Sequence, residues 1–257
     1  MEEPEPEPVP VPERGDVNMR MVRAGDDGAL AAAVAALRAG ALVVVPTDTV
    51  YGLAALPGDA EAVQAVYRAK DRPEGMHLPV LAASPEQVRS LGVSFTEAAQ
   101  TLARRWWPGP LTLAFGFEAG AGALRPGWLA GRTEVAVRIP DHPFLRALLA
   151  ETGPLLVTSA NPHGAPTPRR AEDVAEALGR LVRLIVDGGA LTEVPSTLVS
   201  VSGATPLLER EGAIAWADVE AVLAGAVSVT AVGADPVAVA ATRVEEQGRG
   251  QTRARAK

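Results

Sequence analysis

The stretch that decides the fold is Ala41–Leu53, ALVVVPTDTVYGL, in which five apolar residues run directly into a polar octapeptide. A short apolar run that ends at proline predicts a buried strand over Ala41–Val45. In α/β proteins, binding sites lie where strands end, and two hydroxyls, a carboxylate and a phenol follow within Thr47–Tyr51. Because Thr and Asp also stabilise turns, the segment fits either a hydrogen-bonded turn or part of a site.

On either side of this stretch, strand patterns alternate with helix patterns. Leu30–Arg38 is rich in alanine and predicts a helix that ends at Gly40, and Asp59 is placed to cap a second helix. Ser84 and Thr96 are expected to cap two more. The other predicted strands are Leu78–Ala82, Leu111–Phe117, Glu134–Ile139, Pro154–Thr158, Leu181–Val186, Leu198–Val201 and a short one at Ile214; the other predicted helices are Phe144–Leu149, Ala171–Leu178 and Trp216–Leu223. This pattern predicts an α/β domain with a mixed sheet.

Composition divides the chain into three parts. Residues 1–18 alternate Glu, Pro and Val without periodicity and are predicted to be a disordered acidic extension. Residues 19–225 form one globular catalytic domain in this interpretation. Residues 226–257 are rich in Ala, Val and Gly, end in arginines, and are too few for a second core, so a flexible tail is expected.

Several classes of protein are excluded or disfavoured by what the 257 residues lack. With no cysteine there is no disulfide, no Cys-ligated zinc and no Cys nucleophile. The usual phosphate-loop, dinucleotide, zinc-hydrolase and serine-hydrolase motifs are absent. No apolar run approaches the roughly 20 residues of a membrane helix and no signal peptide is visible, so we expect a cytoplasmic enzyme with no membrane partner. A net charge of −7 argues against a protein whose main task is to bind nucleic acid, although a local basic cleft remains compatible with it.

Further polar segments follow the predicted strands and helices. Lys70 and Arg72 stand at the end of a helix, where the helix dipole stabilises positive charge. The same two cations could equally bind phosphate. Arg138 stands inside an apolar strand and needs an anionic partner, either a protein carboxylate or a substrate. Three further segments offer hydrogen-bonding side chains or charge, and each of them alone is only a weak indication of a site. They are Thr158–Asn161, Pro195–Leu198 and Glu209–Gly212.

Together these segments resemble the threonylcarbamoyl-AMP synthase family, which contains the YrdC-like domain. The match covers roughly residues 22–224 and corresponds to the single-domain form. Its strongest elements are Pro46–Leu53, Lys70–Pro73, Pro108–Pro110 with Thr112, Val135–Pro140, Thr158–Asn161, Ser196-Thr197 and Arg210–Gly212.

The resemblance implies a twisted mixed α/β sheet with flanking helices around a deep basic cavity. It implies an L-threonylcarbamoyladenylate synthase, which uses ATP, L-threonine and bicarbonate with Mg²⁺ as cofactor, and no metal held by the protein. Its product would pass to a downstream tRNA threonylcarbamoyl transferase complex, and contact with tRNA or double-stranded RNA is compatible with the same cavity. By analogy, Lys70 and Arg72 are the catalytic residues; ATP is bound by Lys70, Arg72, Asn161 and Arg210, and threonine by Thr49, Tyr51, Arg138, Ser159 and Ser196.

Two positions depart from the family pattern, and two other functions stay open. Leu81 stands where some members carry His, and Met76 stands where others place a polar residue near ATP. The first alternative is a module that binds double-stranded RNA or tRNA in the same cavity. The second is a carbamoyl-transfer enzyme like the related domain in larger hydrogenase-maturation proteins, which normally needs a zinc-finger-like segment that a chain without cysteine cannot supply.

Removal of residues 1–18 should leave the melting temperature nearly unchanged, because a segment of this composition cannot bury enough apolar surface to fold. Thermal denaturation of the full chain and of the truncated chain measures this. A fall of several degrees in the truncated chain would contradict the assignment of these residues to a disordered extension.

Overall fold

A single mixed sheet organises the computed structural model, which describes residues 19–71, 78–120 and 126–227. Its ten strands within those ranges are β1 (Arg20–Arg23), β2 (Val43–Val45), β3 (Gly52–Ala55), β4 (Val80–Leu81), β5 (Leu111–Gly116), β6 (Glu134–Arg138), β7 (Leu155–Ser159), β8 (Leu184–Asp187), β9 (Thr197–Ser200) and β10 (Leu207–Arg210). The helices are α1 (Ala29–Arg38), α2 (Ala60–Lys70), α3 (Pro85–Arg89), α4 (Glu97–Trp106), α5 (Pro143–Thr152), α6 (Ala171–Leu178) and α7 (Trp216–Val227), with a short 3₁₀ helix at Gly127–Leu129.

The helices begin where polar side chains satisfy their first free N–H groups. The Asp59 carboxylate accepts from the Ala62 N–H at 3.0 Å, the Ser84 hydroxyl accepts from Gln87, and the Thr96 hydroxyl accepts from Ala99. Since these N–H groups have no partner inside the helix, each cap stabilises its helix by roughly 1 kcal/mol. All three predicted N-caps are confirmed.

The strand order is β1-β8-β2-β3-β7-β4-β6-β5-β9-β10. Four neighbouring pairs run parallel, namely β1 with β8, β8 with β2, β4 with β6, and β5 with β9, and the others run antiparallel. The predicted mixed sheet with flanking helices is therefore confirmed. Sequence neighbours β2 and β3 lie side by side, whereas β3 and β6 are separated by β7 and β4.

Two apolar clusters cover the two faces of the sheet. Successive strand residues point to opposite faces, so Val44 packs in one cluster while Val43 and Val45 pack in the other. The first cluster receives the buried faces of α2, α4, α6 and α7. The second receives α1 and α5. Helices on both faces bury the central strands, which explains why a strand such as β2 reads as a continuous apolar run rather than an alternating one. The edge strands β1 and β10 are largely exposed and contain charged residues.

Three strands and one misassigned residue show where sequence patterns are insufficient. Strands β1, β3 and β10 are absent from the predicted set, because their sequences RMVR, GLAA and LLER carry no clear strand pattern and they form by pairing with their neighbours rather than by local propensity. The predicted strand at Ile214 is wrong. The Ile214 N–H instead donates to the Thr197 hydroxyl at 2.9 Å in an irregular segment before α7.

The predicted domain boundaries fall partly outside the described residues. Residues 1–18 and 228–257 are in that category, so their assignment as extension and tail stays a prediction. Helix α7 ends at Val227, two residues beyond the predicted end of the domain at residue 225. None of the helices in the described ranges has the length and apolar character needed to cross a bilayer.

Gly212→Ala should destabilise the protein by about 1–3 kcal/mol, because the added methyl group would overlap the backbone of Pro195 and Ser196. Gly203→Ala is the matched control, since its methyl group would meet only the Thr205 carbonyl oxygen, at 3.9 Å. Urea denaturation of both variants measures the difference. Equal midpoints for the two would contradict the close approach at Gly212.

Candidate active site

The connection between β2 and β3 is a six-residue loop, residues 46–51, that is tied together by the hydroxyl of Thr47. This hydroxyl donates to the Val50 carbonyl oxygen at 2.7 Å and accepts from the N–H groups of Thr49 at 2.9 Å and Val50 at 3.1 Å. It also contacts the Thr49 hydroxyl at 3.0 Å. The octapeptide thus contains the hydrogen-bonded turn that its composition allowed, and the turn fixes the direction of the Asp48 and Thr49 side chains.

Arg138, the last residue of β6, is the buried cation of the site and is only 5% exposed. Its Nε donates to the Gly109 carbonyl oxygen at 3.0 Å, its Nη1 donates to the Thr49 hydroxyl at 2.9 Å, and its Nη2 pairs with the Asp48 carboxylate. Burial lowers the pKa of Arg138 from its ordinary value, while Asp48 opposes this shift and nearby Arg210 adds to it. The anionic partner required for this strand arginine is therefore a protein carboxylate.

Arg138 and Asp48 each keep unused hydrogen-bonding capacity. A guanidinium has five N–H donors, and three bonds to protein acceptors are made here. Asp48 uses Oδ1 for Arg138, while its buried Oδ2 has no hydrogen-bond partner among the described residues. The site thus combines a buried ion pair with guanidinium N–H groups that Gly109, Thr49 and Asp48 do not use.

Lys70, the last residue of α2, is 4% exposed, so its ammonium group is buried rather than solvated at the helix end. Its Nζ lies 2.7 Å from the Ser159 carbonyl oxygen, 3.2 Å from the Ser159 hydroxyl, 2.6 Å from the Asn161 carbonyl oxygen and 3.0 Å from Asn161 Oδ1. The Asn161 amide in turn donates to the Ala165 carbonyl oxygen. These contacts bring together three predicted site residues, and the helix dipole alone does not account for a buried lysine.

A third group joins Ser196 and Arg210. Ser196 precedes β9, and its hydroxyl lies 2.7 Å from that of Thr112 on β5. The Arg210 guanidinium donates to the Ser196 carbonyl oxygen at 3.0 Å and to its hydroxyl at 3.3 Å. Burial lowers the pKa of Arg210, with Glu209 opposing the shift.

Tyr51 connects the loop to the segment that follows β8. Its side chain is fully buried, and its hydroxyl donates to the Gly189 carbonyl oxygen at 2.7 Å and accepts from the Gly188 N–H at 3.1 Å. Burial is the largest cause that raises the pKa of Tyr51 to about 12, so the hydroxyl stays neutral. These bonds favour a positioning role, and the predicted contact with threonine stays a prediction.

Most predicted site residues therefore fall into linked groups. Lys70 meets Ser159 and Asn161; Ser159 pairs with Gly52, next to Tyr51, in the β3–β7 register. Arg72 and Met76 lie outside the described residues. Leu81, the other departure from the family pattern, lies opposite Arg138 on β4 and packs in the apolar cluster beneath α1 and α5.

Sequence reasoning did not assign roles to Thr47, Asp48 or Thr112. Thr47 and Asp48 lie inside the polar octapeptide, so their position indicated that they belong to the site. The local sequence does not distinguish a residue that positions another side chain from one that binds a ligand. Thr112 lies in an apolar strand, where its partner Ser196 is distant in sequence.

Comparison with known proteins identifies the family of this arrangement. The family model Sua5/YciO/YrdC, described as telomere recombination, matches residues 35–212. The chain belongs to this family. The resemblance to the threonylcarbamoyl-AMP synthase family, which contains the YrdC-like domain, is thereby confirmed.

Relatives within the Sua5/YciO/YrdC family are named threonylcarbamoyl-AMP synthases. The Bacillus subtilis enzyme is 42% identical over 200 residues, which are 77% of this chain and 57% of that protein. A putative enzyme from Mycobacterium tuberculosis is 39% identical over 197 residues, which are 76% of this chain and 88% of that protein. The chain thus spans little more than half of the first relative and most of the second.

A solved family structure supports the fold. Sua5 from Pyrococcus abyssi, crystallised with L-threonine, superimposes with a TM-score of 0.71 at 35% identity, covering 80% of this chain and 60% of that one. The twisted α/β sheet of the Sua5/YciO/YrdC family is therefore the fold of this chain.

Arg138→Lys should lower the free energy of unfolding by about 1–3 kcal/mol, because a lysine keeps the charge but cannot reproduce bonds to Gly109, Thr49 and Asp48 together. Arg169→Lys is the control: its ion pair with Glu193 spans 3.7 Å between exposed side chains, so a change within about 0.5 kcal/mol is expected. Chemical denaturation measures both. Similar losses in the two variants would mean that the Arg138 contacts contribute no more than a surface pair.

Proposed function

We propose that this chain is an L-threonylcarbamoyladenylate synthase, which forms threonylcarbamoyl-AMP and pyrophosphate from ATP, bicarbonate and L-threonine. The observation that carries the proposal is the pairing of Arg138 with the loop after β2. This loop leads directly into Gly52, the β-sheet partner of Ser159 in the buried Lys70–Ser159–Asn161 group. Such an arrangement suits a reaction that must hold an amino acid next to a polyphosphate. The names of the relatives agree with it.

The chemistry needs no protein nucleophile. The amine nitrogen of threonine attacks the carbon of bicarbonate or CO₂ and forms a carbamate, with loss of the corresponding water and proton. A carbamate oxygen then attacks the α-phosphorus of ATP, the bond to the bridging oxygen breaks, and pyrophosphate leaves. The protein contributes by orienting the two anions and by stabilising negative charge on the phosphates.

The phosphates are assigned to the side of the site that contains Lys70. Lys70 and Asn161 would contact ATP there, with Arg72 and Arg210 as further partners. In the described structure the ammonium group of Lys70 is oriented by four oxygens of Ser159 and Asn161. The positive charge would attract a phosphate oxygen. Because an ammonium group has three N–H donors and four protein oxygens surround it, that phosphate oxygen would replace one of them as acceptor.

Threonine is assigned to the side of the site that contains Arg138. The N–H groups of Arg138 that are not used by Gly109, Thr49 and Asp48 would bind its carboxylate. Thr49, Ser159 and Ser196 would surround the rest of the molecule, and Tyr51 would support the loop. Because the carbamate and the mixed anhydride hydrolyse readily, exclusion of water from this region would protect both.

Mg²⁺ is proposed to accompany ATP rather than to occupy a protein site. Among the described residues no group of three or more His, Cys, Asp or Glu side chains could hold an ion, and Asp48 is the carboxylate nearest to Arg138. The surrounding donors are cationic or neutral, which fits a Mg²⁺ ion carried by the phosphates. When bound, the ion would neutralise part of the phosphate charge.

The remaining assignments follow from the same activity. The adenylate would be consumed by a tRNA threonylcarbamoyl transferase complex, and the reaction would take place in the cytoplasm. Direct contact with tRNA or double-stranded RNA belongs to the alternative in which the chain is a binding module. A carbamoyl-transfer role is the second alternative, in which the chain would transfer a carbamoyl group instead of activating threonine.

Pyrophosphate release from ATP should require L-threonine and bicarbonate together, with serine much weaker as a substrate. A coupled pyrophosphate assay with each amino acid in turn measures this. A binding module would release no pyrophosphate with threonine present, and a carbamoyl-transfer enzyme would respond to a carbamoyl donor rather than to threonine. Equal rates with alanine, or independence from bicarbonate, would contradict the proposed function.

A further inference from the structure

The hydroxyl of Thr197 has no assigned role in the reaction, yet it fastens residues 212–214, which follow β10, to the start of β9. Thr197 is fully buried. Its hydroxyl donates to the Ile214 carbonyl oxygen at 2.6 Å and accepts from the N–H groups of Gly212 at 3.0 Å and Ile214 at 2.9 Å. Because a hydroxyl has one proton and two lone pairs, these three bonds use its whole capacity. Thr197 can therefore influence a ligand only through the segment that it holds.

The same segment also packs against the residues that lead into β9. The Ala213 N–H donates to the Pro195 carbonyl oxygen at 2.9 Å. Gly212 lies so close to Pro195 and Ser196 that a methyl group added to it would overlap their backbone. The position of residues 212–214 is therefore set by β9 and by the residues just before it.

Arg210 precedes this segment by two residues and is not held firmly by its own strand. β10 lies at the edge of the sheet and pairs with β9, and its register shifts between Leu208 and Arg210. The residues of β10 are largely exposed, and a strand with little burial has few contacts that oppose local movement. We therefore expect the direction of the chain at Arg210 to depend on the bonds made by residues 212–214.

The guanidinium group of Arg210 lies with one edge on Ser196. Its Nε and Nη2 donate to the Ser196 carbonyl oxygen at 3.3 Å and 3.0 Å, and Nη2 also donates to the Ser196 hydroxyl at 3.3 Å. These bonds use Nε and Nη2 and leave Nη1 for another acceptor. Since Arg210 is exposed, an anionic group such as a phosphate can approach it from solvent.

We propose that Thr197 is a positioning residue for Arg210, which holds the guanidinium group on Ser196 so that Nη1 binds a phosphate group of ATP. The inference rests on the proposed function, in which Arg210 is a partner of ATP. It goes beyond that function by adding a residue that acts without touching a substrate. It also names the end of the Arg210 side chain that meets the phosphate.

Ser196, which is assigned to threonine, is held by bonds that do not involve the Thr197 hydroxyl. The Ser196 hydroxyl lies 2.7 Å from that of Thr112, and the backbone N–H of Thr197 donates to the Pro110 carbonyl oxygen at 3.0 Å. Both contacts survive when only the Thr197 hydroxyl is removed. Loss of this hydroxyl should therefore affect the use of ATP much more than the use of threonine.

The test compares Thr197→Val, which keeps the shape of the side chain but removes the hydroxyl, with Thr197→Ser, which keeps the hydroxyl. Pyrophosphate release is measured against ATP at saturating threonine and bicarbonate, and then against threonine at saturating ATP. Thr197→Val should raise the half-saturating ATP concentration by about tenfold, as expected for a misplaced hydrogen bond to a charged group. Half-saturation by threonine should change by less than about twofold, and Thr197→Ser should keep near-normal half-saturation by ATP.

Thr152→Val is the matched control, because it removes a threonine hydroxyl that donates to the Leu148 and Gly153 carbonyl oxygens at the end of α5. Its half-saturation by ATP should equal that of the unmodified protein. A melting curve accompanies each variant. If Thr197→Val melts earlier but its folded fraction keeps the normal half-saturation by ATP, Thr197 has only a structural role and the proposal is wrong. Equal increases for ATP and threonine would contradict it as well.

Gly212→Ala gives a second approach should Thr197→Val fail to fold, because it displaces the same segment while the Thr197 hydroxyl remains. It should raise the half-saturating ATP concentration several-fold. Gly203→Ala is its control, since that methyl group would meet only the Thr205 carbonyl oxygen, at 3.9 Å. An unchanged requirement for ATP in Gly212→Ala would overturn the proposal.

Arg210→Gln shows whether the effect passes through Arg210. If it does, Thr197→Val should change half-saturation by ATP less than about twofold when it is added to Arg210→Gln. Independent effects that multiply would contradict the mechanism.

Failure of the proposed function is recognised separately, because the unmodified protein would then release no pyrophosphate with threonine and bicarbonate. Calorimetric titration with ATP and Mg²⁺ decides the inference in that case. Weaker binding by Thr197→Val but not by Thr197→Ser supports the positioning role. Equal binding by both variants, or no binding by the unmodified protein, overturns it.

Discussion

The site depends on the burial of one guanidinium group, that of Arg138, at the end of β6. A buried charge is costly unless it is paired and hydrogen-bonded, and Arg138 meets that requirement with three partners from two other parts of the chain. Asp48 and Thr49 come from the loop after β2, and the Gly109 carbonyl oxygen comes from the turn before β5. The Gly109 N–H also donates to the Ile139 carbonyl oxygen at 2.9 Å, so the turn and the end of β6 are bonded in both directions. Satisfying this one charge therefore connects the loop after β2 to the end of β6 and to the turn before β5.

The charges of the site differ from those of the chain as a whole. The sequence carries a net charge of −7, but Lys70 and Arg138 are buried, whereas Arg210 is exposed. Ser159, Asn161 and Ser196 present uncharged oxygens to Lys70 and Arg210. Asp48 neutralises one of the three cations. Positive charge in a buried site favours anionic ligands, because burial reduces screening by water and salt. Net charge therefore describes the solvated surface, whereas local burial decides which ligands the site attracts.

Many elements of the fold were predictable because their causes are local. Asp59, Ser84 and Thr96 cap helices in the structure as their positions indicated, and α6 has the predicted bounds, Ala171–Leu178. Strand β3 was not predicted, because Gly52–Ala55 is short, contains glycine and follows a polar loop. It becomes a strand only by pairing with β2 on one side and β7 on the other. The strand predicted at Ile214 was wrong for the opposite reason. Its apolar side chain suggested a strand, but its N–H donates to the Thr197 hydroxyl instead of to a neighbouring strand.

The sequence by itself determined the types of chemistry available, namely the hydroxyls and carboxylate of residues 46–51, the cations Lys70, Arg138 and Arg210, and the absence of any thiol. It also determined the family, because the motifs occur in a fixed order along the chain. The tertiary structure alone decided which of these groups meet. Arg138 is bound by Asp48 and Thr49 although two strands separate β3 from β6, and Lys70 is held by Ser159 and Asn161, about ninety residues further along the chain. Such contacts depend on strand order and on the path of loops across the sheet, which arise from long-range pairing and have no local sequence signal.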